Sequence, residues 1–228
     1  MSDVTLPGPV LGLTAAGASA VALIAPDAAD RRASAPGERF HVESLIPLAA
    51  ELVAEAGLTA SDIAAVAVGR GPAPYTGLRI ALATARTLGY ALGVPVWGVS
   101  DLDALAQAAA ERFQLGAGAT VVAALDAKRR EVYWARYRVE RPRDADALDR
   151  VEGPAVTAPT LAPAAPGGAV VGPSTRALKG QTPAEVDPAV LARLAAVRAA
   201  RGLDVSAEPL YLRRPHTQPP GPAKRASR

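Results

Sequence analysis

Cysteine is absent from all 228 residues, which excludes disulfides, cysteine-ligated zinc, iron–sulfur clusters and thiol nucleophiles. Histidine is almost absent too. His41 and His216 stand 175 positions apart, and neither belongs to an H-x-x-x-H or H-E-x-x-H pattern, so a histidine metal centre has no local support. Aromatic residues are only 4% of the chain, and no apolar run reaches the roughly 18 residues of a membrane span. The amino terminus lacks the basic, then apolar, pattern of an export signal. These absences read together as a soluble, cytoplasmic protein with no membrane partner. No serine sits in a nucleophile elbow, so hydrolase chemistry has no candidate nucleophile.

Half of the residues are hydrophobic and 21% are charged, enough for one large core or two small ones without a metal or disulfide. The net charge of +3 is unevenly placed. From Leu210 onward stand Arg213, Arg214, Lys224, Arg225 and Arg228 with no carboxylate, which leaves residues 1–209 with 20 basic and 22 acidic groups. The basicity is a tail on a body at −2. Such a body lacks the broad cationic face of a protein that grips nucleic acid by itself.

Apolar periodicity predicts a hairpin over 10–13 and 17–25, a weaker strand near 31–35, and a helix over 42–56 that Gly57 ends. Buried strands follow at 63–68, 94–99 and 120–125, with helices at 76–92 and 100–112 between them. Alternation of this kind implies parallel pairing with helical crossovers. Residues 131–139 read as a strand, 140–168 as a loose connection with one strand at most, 168–172 as a strand, and 187–202 as a helix capped by Asp187-Pro188. The stretch after Pro215 reads as disordered. The boundaries expected are 1–113 for one half, 114–212 for a second, smaller half and 213–228 for the tail.

The segment Gly69-Arg70-Gly71-Pro72-Ala73-Pro74-Tyr75-Thr76-Gly77-Leu78-Arg79 joins a buried strand to a helix. Gly71, Thr76 and Gly77 offer a possible anion-binding turn with Thr76 as N-cap; the alternative is that the glycines and prolines simply shape a tight bend. It is not a Walker A loop, because no lysine follows the glycines. Asp101 and Asp103 could be a working carboxylate pair, but capping of the helix that Ser100 opens is the better explanation of both. His41 reads as a helix-entry residue and Lys128-Arg129-Arg130 as a solvated turn, with contact to RNA phosphate as the competing assignment.

On the helix over 76–92, apolar and small residues fill an arc of about 200°, twice the usual core-facing stripe. One sheet cannot cover so wide an arc. Leu78, Ala81, Leu82, Ala85, Leu88 and Gly89, with Leu45, Ala49, Leu52 and Val53 of the preceding helix, are therefore the candidate partner surface. The competing possibility is that the two helices bury each other within one subunit.

Three stretches carry a resemblance: His41 to Leu48, then Val68 to Arg79 with its G-x-G-P-x-x-[FY]-T-G-[LI]-R pattern, then Gly98 to Leu105. Asp126-Ala127-Lys128-Arg129, Glu131-Val132-Tyr133 and Pro209-Leu210-Tyr211-Leu212-Arg213 extend it. Together they resemble the TsaB family, formerly YeaZ. The resemblance implies an α/β actin-like ATPase fold of the sugar-kinase and Hsp70 superfamily, with two ribonuclease-H-like halves, the second reduced. It also implies a non-catalytic partner in the synthesis of threonylcarbamoyladenosine beside the anticodon of tRNAs that read codons beginning with A. The implied partners are the catalytic paralogue TsaD and the P-loop ATPase TsaE, with a homodimer when alone and tRNA only within the complex. No cofactor is implied for this chain alone, although ATP or ADP could lodge at an interface. Active members of the superfamily hold metal and phosphate with an aspartate after the first strand. Here that turn reads Leu13-Thr14-Ala15-Ala16-Gly17, so magnesium-dependent hydrolysis is not expected. The alternative class is a stand-alone ATPase or metallopeptidase of the same superfamily.

Overall fold

A computed structural model describes residues 6–35, 44–173, 178 and 180–213. His41 and the tail from 214 lie outside the described residues.

Among the described residues ten strands form two sheets of five. The first sheet runs β3-β2-β1-β4-β5, from β1 (Val10–Thr14), β2 (Ala20–Ile24), β3 (Arg31–Ser34), β4 (Ala65–Gly69) and β5 (Val96–Val99). The second runs β8-β7-β6-β9-β10, from β6 (Thr120–Asp126), β7 (Val132–Val139), β8 (Leu148–Thr157), β9 (Ala169–Gly172) and β10 (Gln181–Pro183). In each sheet a central strand pairs antiparallel with a meander on one side and parallel with two later strands on the other. The halves therefore repeat one ribonuclease-H-like order, and the pair is the actin-like arrangement. β10 escapes the sequence pattern because Gln181-Thr182-Pro183 is too short and polar to register. β8 hides in a Pro- and Gly-rich stretch, and its pairing with β7 is broken by register shifts.

Among the described residues four α-helices complete the layers: α1 (Leu45–Glu55), α2 (Tyr75–Leu92), α3 (Asp101–Arg112) and α4 (Pro188–Ala200). β1 and β4 are buried along their whole length, so both faces of the first sheet are covered. α1 and α2 pack on this sheet, and so does α4. Successive side chains alternate between faces, and the missing side chain of Gly12 marks the α4 face. A Cβ at that position would stand 2.2 Å from the Pro188 carbonyl oxygen. Gly12→Ala should accordingly lift α4 off the sheet and cost about 1–3 kcal/mol of unfolding free energy, measurable by urea titration.

The boundary at residue 113 divides the two sheets but not the helices. α3 precedes it in sequence yet packs against β6, β7, β8 and β9, while α4 follows it and packs on the first sheet. α3 and α4 touch each other, so the two halves exchange a helix and share the middle layer. Among the described residues no α-helix covers the far face of the second sheet. Val122, Ala124, Val132 and Trp134 are covered there by Leu178 and the small residues Ala162 and Ala165. That thin cover is the physical meaning of a reduced second half.

Helix ends follow local chemistry where the chain is short-ranged. The Asp187 side chain accepts the Ala189 N–H at 2.8 Å, with Pro188 at the first helical position. Gly57, at φ +69°, closes α1. α2 begins at Tyr75 with Pro74 as its N-cap, so Thr76 is not the cap that its residue type suggested. Ser100 is the N-cap of α3 by position, but its hydroxyl makes no capping bond.

Candidate functional site

Asp101 and Asp103 work at long range, not as helix caps. Asp101 is only 1% exposed. Its carboxylate accepts the Thr14 hydroxyl at 2.8 Å and the Gly71 N–H at 2.7 Å, and its own N–H donates to the Gly71 carbonyl at 2.9 Å. Three elements meet on one side chain: the end of β1, the bend after β4 and the start of α3. The bend exists to admit it. A Cβ on Gly69 would stand 2.1 Å from an Asp101 oxygen, and Gly71 adopts φ +98°, open chiefly to glycine. The proposed anion-binding turn thus does bind an anion through Gly71, but the anion is the protein's own carboxylate. Thr76 is exposed and Gly77 is buried against Ala15, so the structure does not bring these two to that carboxylate. Burial raises the Asp101 carboxyl to about 6, against the opposing pull of the Thr14 and Gly71 hydrogen bonds.

Asp103 anchors the middle layer. It accepts the Tyr137 hydroxyl at 2.7 Å and the Arg198 guanidinium at 2.7 Å, joining α3 to β7 and α4. Arg198 also reaches Asp146 at 3.1 Å. Burial first, and then the Asp103 charge, push the Tyr137 phenol well above its ordinary range. A cleft of about 690 Å³ opens beside this network, lined by Arg70, Arg150, Arg201 and Asp204 among others.

These residues do not fit a magnesium–phosphate group. The Thr14-Ala15-Ala16 turn supplies no carboxylate, Asp101 is engaged internally, and Asp126 holds the backbone N–H and ammonium of Lys128. Among the described residues no group of three or more His, Asp or Glu side chains is arranged to hold a metal.

The two outer helices divide their apolar arcs between core and solvent. Leu45, Ala49 and Leu52 of α1, with Leu78, Ala81, Leu82, Ala85 and Gly89 of α2, are buried in the core; Val53 and Leu88 are half-buried against it. Eight of the ten residues expected to form a partner surface are therefore core of the protomer, and Val53 and Leu88 are half-buried. The first sheet takes about half of each arc, and the exposed stripe is the next one round. On α2 it comprises Thr76, Ile80, Ala83, Thr87, Tyr90 and Ala91; on α1 it comprises Ile46, Pro47, Ala50 and Ala54. Ile46 is 49% exposed, Ile80 40% and Tyr90 92%.

Charges border the stripe without entering it. On α1, Glu55 pairs with Arg31 of β3, which turns the Ile46 and Ala50 side towards α2. On α2, Arg79 and Arg86 point the opposite way, into a strap formed by residues 203–213. Arg79 donates to the Tyr211 hydroxyl at 3.0 Å and lies 4.0 Å over the Tyr75 ring; Arg86 pairs with Glu208 at 2.8 Å. The strap continues along the sheet edge, where Gly98 N–H donates to Val205 and Leu210 N–H to Arg70, and ends with Arg213 on the Ala127 carbonyl at 3.1 Å. The two helices touch, so their uncharged stripes adjoin as one patch.

Two ribonuclease-H-like lobes in the actin-like arrangement, with a first turn that carries no carboxylate and outer helices that expose an uncharged patch, define the class of fold. Residues 36–176 match the family described as TsaD, tRNA N6-adenosine threonylcarbamoyltransferase. An uncharacterized protein of Mycobacterium tuberculosis is 41% identical over 183 residues, 79% of either chain. The tRNA threonylcarbamoyladenosine biosynthesis protein TsaB of Escherichia coli is 37% identical over 100 residues, 44% of this chain and 42% of that protein. The solved structure of YeaZ from Pseudomonas aeruginosa superposes with a TM-score of 0.73 at 30% identity, over 90% of this chain and 100% of that one. The chain belongs to the TsaB (YeaZ) family. Among the described residues no helix is long and apolar enough to cross a membrane.

Proposed function

We propose that this chain is a non-catalytic scaffold subunit in tRNA threonylcarbamoyladenosine biosynthesis, acting in the cytoplasm. It pairs through the exposed stripe of α1 and α2 with the catalytic paralogue TsaD, and the ATPase TsaE joins that assembly. Alone, the same stripe meets a second copy. ATP or ADP, where the assembly uses it, binds at an interface with partners.

The observation that carries this reading is the adjoining uncharged stripe, with Ile46, Ile80 and Tyr90 in solvent beside small residues that let another backbone approach. Family membership supplies the pathway. The engaged state of Asp101 supports a supporting role over a catalytic one, since the carboxylate nearest the first turn is already committed to holding three elements together.

Reconstitution tests it. Purified paralogue, ATPase, ATP, tRNA and threonylcarbamoyl adenylate should yield modified adenosine only when this chain is added, and this chain with tRNA and the threonylcarbamoyl adenylate should yield none. A full rate without it, or transfer by it alone, would overturn the scaffold role.

A further inference from the structure

Neither residues 13–17 nor Asp126 lines the cleft of about 690 Å³ beside Asp103, so it is not the place after the first strand where active members of the superfamily hold metal and phosphate. Its walls come from both halves. Arg70 stands in the bend after β4, Leu203 and Asp204 in the strap, Arg198 and Arg201 at the end of α4, and Arg150 in β8. Five arginines against four aspartates leave the lining at +1, a sign that favours an anion.

The five guanidinium groups divide by how fully they are used. Arg198 spans Asp103 and Asp146, Arg201 grips both Asp144 oxygens at 2.9 Å, and Arg141 donates twice to the Asp146 carbonyl. These three are committed to the fold. Arg150 is not: its ion pair reaches Asp103 at 3.6 Å, beyond hydrogen-bonding range, and the two Asp103 oxygens already accept the Tyr137 hydroxyl and the Arg198 guanidinium at 2.7 Å. Nor is Arg70. Its Nη1 makes only long contacts, 3.3 Å to the Ser206 carbonyl and 3.4 Å to an Asp204 that is 67% exposed, and its Nε is shielded from solvent with no acceptor among the described residues. Each half therefore brings one underused planar fork to the same cleft.

We propose that this cleft binds a small phosphate monoester, with Arg70 and Arg150 as the two forks that receive the phosphate. A carboxylate offers two oxygens, which one arginine fork occupies; a phosphate monoester offers three unesterified oxygens, enough for both. Size is the second argument. The cleft falls within the roughly 300–1,000 Å³ of small-molecule sites, far more than a bare phosphate fills, and half-exposed Leu203 gives the organic portion an apolar wall. The four carboxylates of the lining keep the affinity modest. A ligand held by both halves also stabilises the folded chain, since the unfolded chain has no such site.

The test is isothermal titration of the full chain with ribose 5-phosphate and, separately, with succinate, at one fixed ionic strength. Ribose 5-phosphate should bind with a Kd of about 1 mM or lower, and succinate about tenfold more weakly or worse. R150Q and R70Q should each weaken the ester about tenfold or more. R138Q removes the same charge from β7, outside the cleft, and should leave the affinity unchanged. A thermal melt of each variant without ligand checks the fold. R70Q also gives up a strap contact, so if it melts lower the test falls to R150Q, whose side chain is 40% exposed and makes no hydrogen bond among the described residues. Failure of ribose 5-phosphate to saturate the parent at tens of millimolar, succinate binding as tightly as the ester, or equal losses in R150Q and R138Q would each overturn the site.

Discussion

Replacing Asp101 by alanine should destabilise the folded chain by about 2–4 kcal/mol near pH 4, and by progressively less as pH rises through about 6. The magnitude follows from what is stranded. The Thr14 hydroxyl and the Gly71 N–H both donate to this buried carboxylate, and each orphaned buried group costs about 1–3 kcal/mol, offset in part by removal of a buried charge. The pH dependence follows from linkage. In the folded state the Asp101 carboxyl titrates at about 6, above the 3.8 of an ordinary aspartate, so the folded chain holds this proton more tightly than the unfolded one. Its contribution is fully present below about pH 3.8 and is lost as pH rises through about 6. A shift of that size amounts to about 3 kcal/mol. Asp101→Asn keeps an acceptor for Gly71 and a donor for the Thr14 oxygen, and it cannot ionise. The difference in unfolding free energy between parent and Asp101→Asn should therefore change by up to about 3 kcal/mol between pH 4 and pH 7, in favour of the variant at pH 7. Urea titrations at several pH values measure it. A difference independent of pH over that window would show that Asp101 does not titrate as its burial demands.

Placing glutamates at Ile80 and Thr87 should weaken pairing with the catalytic paralogue at least a hundredfold while leaving the melting temperature within a few degrees of the parent. Both side chains are exposed, so the protomer loses no core contact. In a paired state each carboxylate would be stripped of water in the centre of an apolar contact, where charges are depleted for that reason. The same substitution at Ala85 is a poor test. Ala85 is fully buried in the protomer core, and a charge there would unfold the chain before it reported on a partner. Isothermal titration of the I80E/T87E chain against the paralogue, with a thermal melt of each variant, separates the two effects. Undiminished affinity would move the partner surface elsewhere.

The buried strands were legible because continuous apolar runs such as Ala65–Gly69 leave little alternative, and Gly57 and Asp187-Pro188 marked helix ends by local chemistry. The width of the apolar arc on α2 was legible as well. Which half of it faces the sheet was not, since periodicity reports an angle around the helix axis and not where neighbours stand. Only the position of Arg79 and Arg86 against the strap, and of Glu55 against Arg31, orients the two helices. Asp101 was misassigned for a related reason. An aspartate in the first turn of a helix is usually a dipole partner, and here its ligands are 30 and 87 positions away in sequence. Gly69 and Gly71 were the available signal, because two glycines in one bend leave room for something. The exchange of α3 and α4 between sheets left no trace in the pattern, as both helices are buried on most sides.

Hydrogen–deuterium exchange on this chain, alone and saturated with the catalytic paralogue, probes the scaffold role most directly. Amide protection on binding should appear in residues 46–54 and 76–91, the segments that carry the exposed stripe, with the second sheet unchanged. Protection confined to the second sheet or to the cleft beside Asp103, with those two helices exchanging as in the free chain, would contradict it.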